Sequence, residues 1–395
     1  MTSLADQLSP FRDQMPRQAG RVNLNAGTLS PTPRPVFEAT RKLREEMACD
    51  GSSFFWGTLP PLLNTARQRL AAFVNGHVNR LLLLENVTFA MNAAIRSLPL
   101  RAGDEVLATD QCYGAMRLAL DKRCREAGAT VRVVDLPLTP KSPDELVELF
   151  ASAITEKTVA LHFSHVTSPT GLVLPASSLC ALARERDVWT VIDGAHAPGL
   201  IDVDLDAIGA DFYGANCHKW MMAAPGCGFL HCSERAAGIL EPLVVSWGED
   251  FKGSGASADS GWGGSMWHRR HEYHGVVDRC PQATLPDVFD FRDSAGEARI
   301  RARSKELTTF ARQRFAEAGF DCISANDDRL TAAMLLFEWH ATPDPTWQRN
   351  PAWEAGLTVP VTHAAGRHFV RVSCAWFNME SDLDRLAEVL ASAKR

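Results

Sequence analysis

A lysine and an aspartate, each set just after a short apolar run, are the residues of this chain best placed to do chemistry. In VIDGAHAPG, Asp193 closes one run; in ANCHKW, Lys219 follows the next. If the two runs are neighbouring strands, both side chains stand at the carboxyl end of one sheet, where open α/β folds bind ligands. An amine there can condense with an aldehyde. An ionised carboxylate can keep a pyridine nitrogen protonated and so make the ring an electron sink. Taken singly, a lysine is an ordinary solvated residue and an aspartate an ordinary turn or cap residue. Placed together, they are the two groups that an aldehyde-bearing pyridine cofactor requires.

A phosphate site is the natural companion. In ENVTFAMNAAIRSL, residues Asn86, Val87 and Thr88 lead from an apolar run into a helix, whose free N–H groups and dipole favour an anion, with the Thr88 hydroxyl as a further donor. A plain N-cap is the bland reading of the same residues. His268, His271 and His274 recur every third residue, but no carboxylate or cysteine completes a familiar zinc spacing, so no metal is expected. Of the ten cysteines no two have CxxC spacing, and most are expected to be reduced core residues. Cys112 and Cys217 flank the chemistry-bearing segments, yet each reads equally well as a small buried hydrophobe.

The elements that must position these residues are legible as a rhythm. The apolar runs RLLLLENVT, DEVLATD, TVRVVDL, TVALHFSHV, VWTVIDGAH and DFYGANCHKW alternate with helix-like segments between about Arg67 and Arg235. This predicts an α/β fold with a mostly parallel sheet and helices on both faces. Residues from Ser246 to Trp267, rich in Gly, Ser and Trp, predict a long irregular excursion. From about Ser294 a helical pattern, strand-like stretches and a last helix with Ser381 as N-cap predict a smaller C-terminal α+β domain. The expected division is an arm over 1–20, a large domain over 21–290 and a small domain over 291–395.

Composition excludes some roles. With 395 residues, 46% of them hydrophobic, the chain can build a sizeable core, and a net charge of −6 gives no basic surplus for nucleic acid or anionic lipid. The first twenty residues scatter charges where a signal peptide needs an apolar stretch, and nowhere do 18 apolar residues run together. A cytoplasmic protein is expected.

Asp193-Gly194-Ala195-His196 followed by His218-Lys219-Trp220 resembles class V aminotransferase-like enzymes of fold type I, which use pyridoxal 5'-phosphate (PLP), and is most similar to their isopenicillin N epimerase-like subgroup. The similarity extends from Asn25 and Gly27 in NLNAG to Arg371 in RVS and to Phe377-Asn378. It implies that Lys219 carries the cofactor as a Schiff base, and that Val87 and Thr88 cradle its phosphate with help from Asn216 and His218. It further implies that Tyr113 stacks on the pyridine ring, which Asp193 tunes, and that His196 bonds near the phenolic oxygen. The turn holding Ser168 lines the mouth. Arg371 grips the substrate carboxylate, with Asn25 and Gly27 nearby.

The family also implies a homodimer in which Gly275 and Val276 reach the partner's phosphate site. Val276 and Val277 replace the usual polar pair, and an arginine that often follows is absent. A pocket altered for a bulky side chain is therefore expected, covered by Trp247, Trp262 or Trp267. Relatives in this subgroup include C–S lyases of ergothioneine and lincosamide-type pathways. The favoured expectation is a PLP-dependent lyase of specialised metabolism, cleaving the C–S bond of an S-substituted cysteine by β-elimination or processing it through decarboxylation. Epimerisation, as in antibiotic biosynthesis, stands close behind; transamination and a non-catalytic scaffold rank lower.

Overall fold

The structure is a computed structural model that describes residues 2–249, 262–339 and 350–393. All six apolar runs form strands of one sheet: β1 (Leu81–Leu84), β2 (Glu105–Thr109), β3 (Thr130–Val134), β4 (Thr158–Ser164), β5 (Trp189–Asp193) and β6 (Phe212–Asn216). A seventh, β7 (Gly228–Cys232), escaped the sequence reading because its run, GFLHC, mixes Gly, His and Cys with the apolar residues. The order is β1-β7-β6-β5-β4-β2-β3. Neighbours from β6 to β3 are parallel, and β7 runs opposite to β6 and β1.

Away from the β3 edge both faces of this sheet are buried, which is why its runs lack the polar alternation of a half-exposed strand. Successive side chains point to opposite faces, so Leu81, Leu83, Leu107 and Ile192 join one core while Leu82, Leu84, Val106 and Val191 join the other. Fully burying one such side chain stabilises the fold by about 1.5–3 kcal/mol.

Beyond the large sheet, β8 (Met334–Glu338), β9 (Val361–Ala364) and β10 (Arg367–Ser373) form an antiparallel sheet in the order β9-β10-β8. Helices Glu297–Glu317 and Glu380–Ala393 pack on each other beside it. Helix Leu285–Ala295 runs through residue 290, where the sequence placed a domain boundary, and Gly296 separates it from Glu297–Glu317. The N-terminal helix Leu4–Arg12 packs against Glu297–Glu317, with Phe11 edge-on to Phe291 at 5.9 Å.

Two local expectations are corrected. Ser381 lies inside the first turn of the last helix rather than at its cap, because the Asp382 carboxylate accepts the Met379 N–H at 2.9 Å and draws the helix start back. Trp262 is packed into a cluster with Phe55, Trp56 and Tyr273, its ring 4.1 Å from that of Phe55, so it is unavailable as a cover. Residues 250–261 of the Gly/Ser/Trp-rich excursion lie outside the described residues. Among the described residues no helix is long and apolar enough to cross a membrane.

Candidate active site

The carboxyl ends of the parallel strands supply the floor of a cavity of about 290 Å³. Asp193 is the last residue of β5, in register with Ser164 at the end of β4 and with Gly214 on β6. The chain leaves β6 at Asn216 and reaches Lys219 three residues later. Next to Asp193, Gly194 has a structural reason to be glycine: a Cβ there would meet the Tyr213 ring at 2.3 Å. That ring is itself fixed by a 2.8 Å hydrogen bond between its hydroxyl and Nδ1 of His165.

Lys219 Nζ donates to Nε2 of His196 at 3.1 Å. Burial lowers the lysine's pKa to about 8, Asp193 opposes that shift, and the Arg371 charge adds to it. Near neutral pH a real fraction of the amine is thus free to act as nucleophile or base. Burial raises the Asp193 pKa against the Ala195 N–H, which it accepts at 2.9 Å, and against the Lys219 charge. An ionised Asp193 therefore needs a cation close by, and a protonated ring nitrogen is such a cation. With Nε2 accepting from the ammonium, His196 carries its proton on Nδ1, a buried donor without a partner among the described residues. Burial, with the Lys219 and Arg371 charges, holds His196 well below its ordinary pKa, so the ring stays neutral.

Arg371, on β10, reaches in from the small sheet. It donates to the backbone oxygen of Ser168, to Ser168 Oγ at 3.4 Å and to Asn25 Oδ1 at 3.0 Å. These partners are all neutral, its Nε has none among the described residues, and burial lowers its pKa to about 10. The structural salt bridge that would be the bland reading of a buried arginine is not what these contacts form. An uncompensated buried cation is costly, and an incoming carboxylate offsets that cost through a bidentate contact. Gly27 fits between the two groups it serves: a Cβ there would lie 3.1 Å from Arg371 Nη2 and 3.3 Å from His196 Cε1.

The phosphate end is built from helix Val87–Ser97. Asn86 caps it by accepting the Phe89 N–H at 3.0 Å, and Asn216 Oδ1 accepts the Val87 N–H at 2.9 Å. The Thr88 N–H and hydroxyl are left to receive an anion at the positive end of the helix dipole. Two expected contacts take a different form here. The Asn216 oxygen is occupied by the helix, leaving its amide nitrogen as the available donor. His218 donates from Nδ1 to the Cys227 carbonyl at 3.2 Å, so its Nε2 carries no proton, and burial lowers its pKa to about 4.

Of the expected residues, Gly27, Val87, Thr88, Tyr113, Ser168, Asp193, His196, Asn216, His218, Lys219 and Arg371 all line this one cavity, and Asn25 stands behind Arg371. Gly275 and Val276 do not line it. Val276 is 79% exposed, on a loop fixed at both ends: Glu272 accepts from Arg67 and from the Leu83 N–H, and Arg279 donates to the Leu83 carbonyl. Trp247, Trp262 and Trp267 are also absent from its walls. Trp247 stands on the surface, and Trp267 packs on His271.

The three spaced histidines have separate partners. His268 Nε2 donates to the Val78 carbonyl, His271 meets Trp267, and His274 meets Glu85 at 2.6 Å. The Cys112 thiol is pushed up to about 12 by burial and the nearby Asp193 charge, which keeps it protonated. Ser164 and Thr28 also line the cavity and were missed. Ser164 closes a predicted strand as Asp193 does, and that strand-end rule was the signal for it.

An amine, a buried carboxylate, an open helix start and an orphaned imidazole donor together fit a phosphorylated, aldehyde-bearing pyridine. The model for the family described as aminotransferase class-V matches residues 21–386 of this chain. An isopenicillin N epimerase of Amycolatopsis lactamdurans is 40% identical, covering 96% of each chain. One from Streptomyces clavuligerus is 37% identical, covering 93% of this chain and 94% of that protein. Among solved structures, the cystine C–S lyase C-DES with its product cysteine persulfide is similar at a TM-score of 0.81. That match covers 94% of this chain and 98% of that one at 20% identity, a likeness of fold.

Proposed function

Because this chain belongs to the aminotransferase class-V family of fold type I, whose cofactor is pyridoxal 5'-phosphate, we propose that it is an amino-acid epimerase working at Cα. The observation that carries this reading is the pairing of Lys219, with its pKa near 8, and Arg371, a buried cation with only neutral partners, in one cavity over Asp193. When bound, the cofactor supplies an electron sink that acidifies the Cα–H of an amino acid.

The chain's own residues do the rest. Thr88 and the helix start would hold the phosphate, and Asp193 would pair with the pyridine nitrogen. Arg371 takes the substrate α-carboxylate and thereby sets which Cα bond stands upright. Lys219, as free amine, accepts the α-proton. His196 keeps Lys219 oriented without adding charge, since it is itself neutral. Exclusion of water around these groups strengthens each contact.

Whole-length similarity to isopenicillin N epimerases supports epimerisation ahead of the β-elimination that the sequence motifs favoured. Cleavage of an S-substituted cysteine is the second reading; it takes the Val276–Val277 pair, on a surface loop of this chain, as an apolar wall of the partner's pocket suited to a bulky side chain. The same reading takes the protein to be a homodimer in which the exposed Val276 reaches the partner's site.

The test is incubation with isopenicillin N, and separately with S-substituted cysteines, in heavy water, followed by chiral separation and mass spectrometry. Interconversion of epimers with deuterium at Cα is expected. Pyruvate and a released thiol without interconversion would replace this reading by the lyase.

A further inference from the structure

Epimerisation needs a proton to leave Cα from one face and another to arrive on the opposite face. Six ionisable side chains line the cavity: Tyr113, Asp193, His196, His218, Lys219 and Arg371. Five of them are accounted for. His196 is bonded to Lys219, and His218 precedes it in the chain with Nδ1 committed to Cys227. Asp193 is at the floor, and Arg371 is the carboxylate clamp.

Tyr113 stands apart from these. It follows β2 and precedes helix Gly114–Ala127, whereas Lys219 follows β6. In the strand order β6-β5-β4-β2, Asp193 on β5 lies between them. Lys219 and Tyr113 therefore enter the cavity from elements on opposite sides of Asp193. Tyr113 is 45% exposed, so its hydroxyl can exchange protons with water. It lines the same cavity as Arg371, the carboxylate clamp.

We infer that Tyr113 is the second acid–base group of the site, working on the face of Cα opposite Lys219; this rests on the epimerase reading. In one direction the Lys219 amine takes the α-proton and becomes an ammonium, while the Tyr113 hydroxyl gives its proton to the other face and becomes a phenolate. The reverse direction exchanges the two roles. Solvent then returns a proton to Tyr113 and removes one from Lys219, so no oxidant or further reactant is required. Stacking alone would need only the ring, which Tyr113→Phe keeps.

The experiment compares the holoenzyme with its Tyr113→Phe and Tyr113→Ala variants, on isopenicillin N in heavy water. Wild-type product should carry solvent deuterium at Cα from the first turnovers, since the arriving proton comes from Tyr113. In Tyr113→Phe, interconversion should fall ~100-fold or more while exchange of one epimer's α-hydrogen stays within about threefold. Cofactor affinity, followed by tryptophan fluorescence, should be kept in Tyr113→Phe and weakened in Tyr113→Ala. Interconversion by Tyr113→Phe at near wild-type rate overturns the inference and leaves the epimerase reading intact. Thiol release in place of interconversion by the wild-type enzyme overturns that reading, and the inference with it.

Discussion

Among single residues, Lys219 shows most directly how burial makes chemistry. A solvated lysine is almost wholly protonated at neutral pH, but desolvation brings this one to about 8, even though the Asp193 charge works the other way. Only the free amine attacks an aldehyde, so covalent capture of PLP by the cofactor-free protein should quicken as pH rises. Stopped-flow absorbance should give a midpoint near 8; a midpoint near the ordinary 10.5 of a lysine would refute the buried position. The positions of Lys219 and Asp193 were readable from the chain, because strand ends collect functional groups. Arg371 was readable only by resemblance. Nothing in the letters VRVS says that its partners would be neutral oxygens, for those come from Asn25 and Ser168, far away in sequence.

At the level of elements, the site depends on how closely β5 and β6 approach. Gly194 admits the Tyr213 ring, and a methyl group there would overlap it at 2.3 Å. Gly194→Ala should cost about 1–3 kcal/mol by overpacking and tilt Asp193 out of line. Urea unfolding should show the loss, and cofactor affinity should fall with it; an unchanged midpoint would contradict the packing. The six long apolar runs were legible as strands because, away from the β3 edge, burial on both faces leaves no polar alternation. β7 was not, since Gly228, His231 and Cys232 give it no strong β signal. The Trp-rich stretch misled for a related reason: sequence marks it as irregular but cannot say that Trp262 is taken up by Phe55 and Tyr273. The proposed roles of Gly275 and Val276 call for a second chain; in this chain neither lines the cavity and Val276 is exposed.

The whole molecule carries a pH sensitivity apart from its chemistry. His162, His165, His218, His231, His268 and His271 are each lowered by burial from 6.5 to about 4. The unfolded chain binds these protons near pH 6.5 and the folded chain only near 4. Between those values unfolding takes up protons, and stability falls as pH is lowered. Calorimetry of the cofactor-free protein should show Tm dropping steadily from pH 6.5 toward 4; a flat Tm over that window would show that these rings accept protons in place.

The central claim remains that Lys219, over Asp193, holds the cofactor. Borohydride reduction of the PLP-loaded protein followed by peptide mapping tests it most directly. The account predicts one reduced pyridoxyl group, on the peptide containing His218-Lys219-Trp220, and none in Lys219→Ala. A pyridoxyl group on another lysine, or none in the wild-type protein, would contradict it.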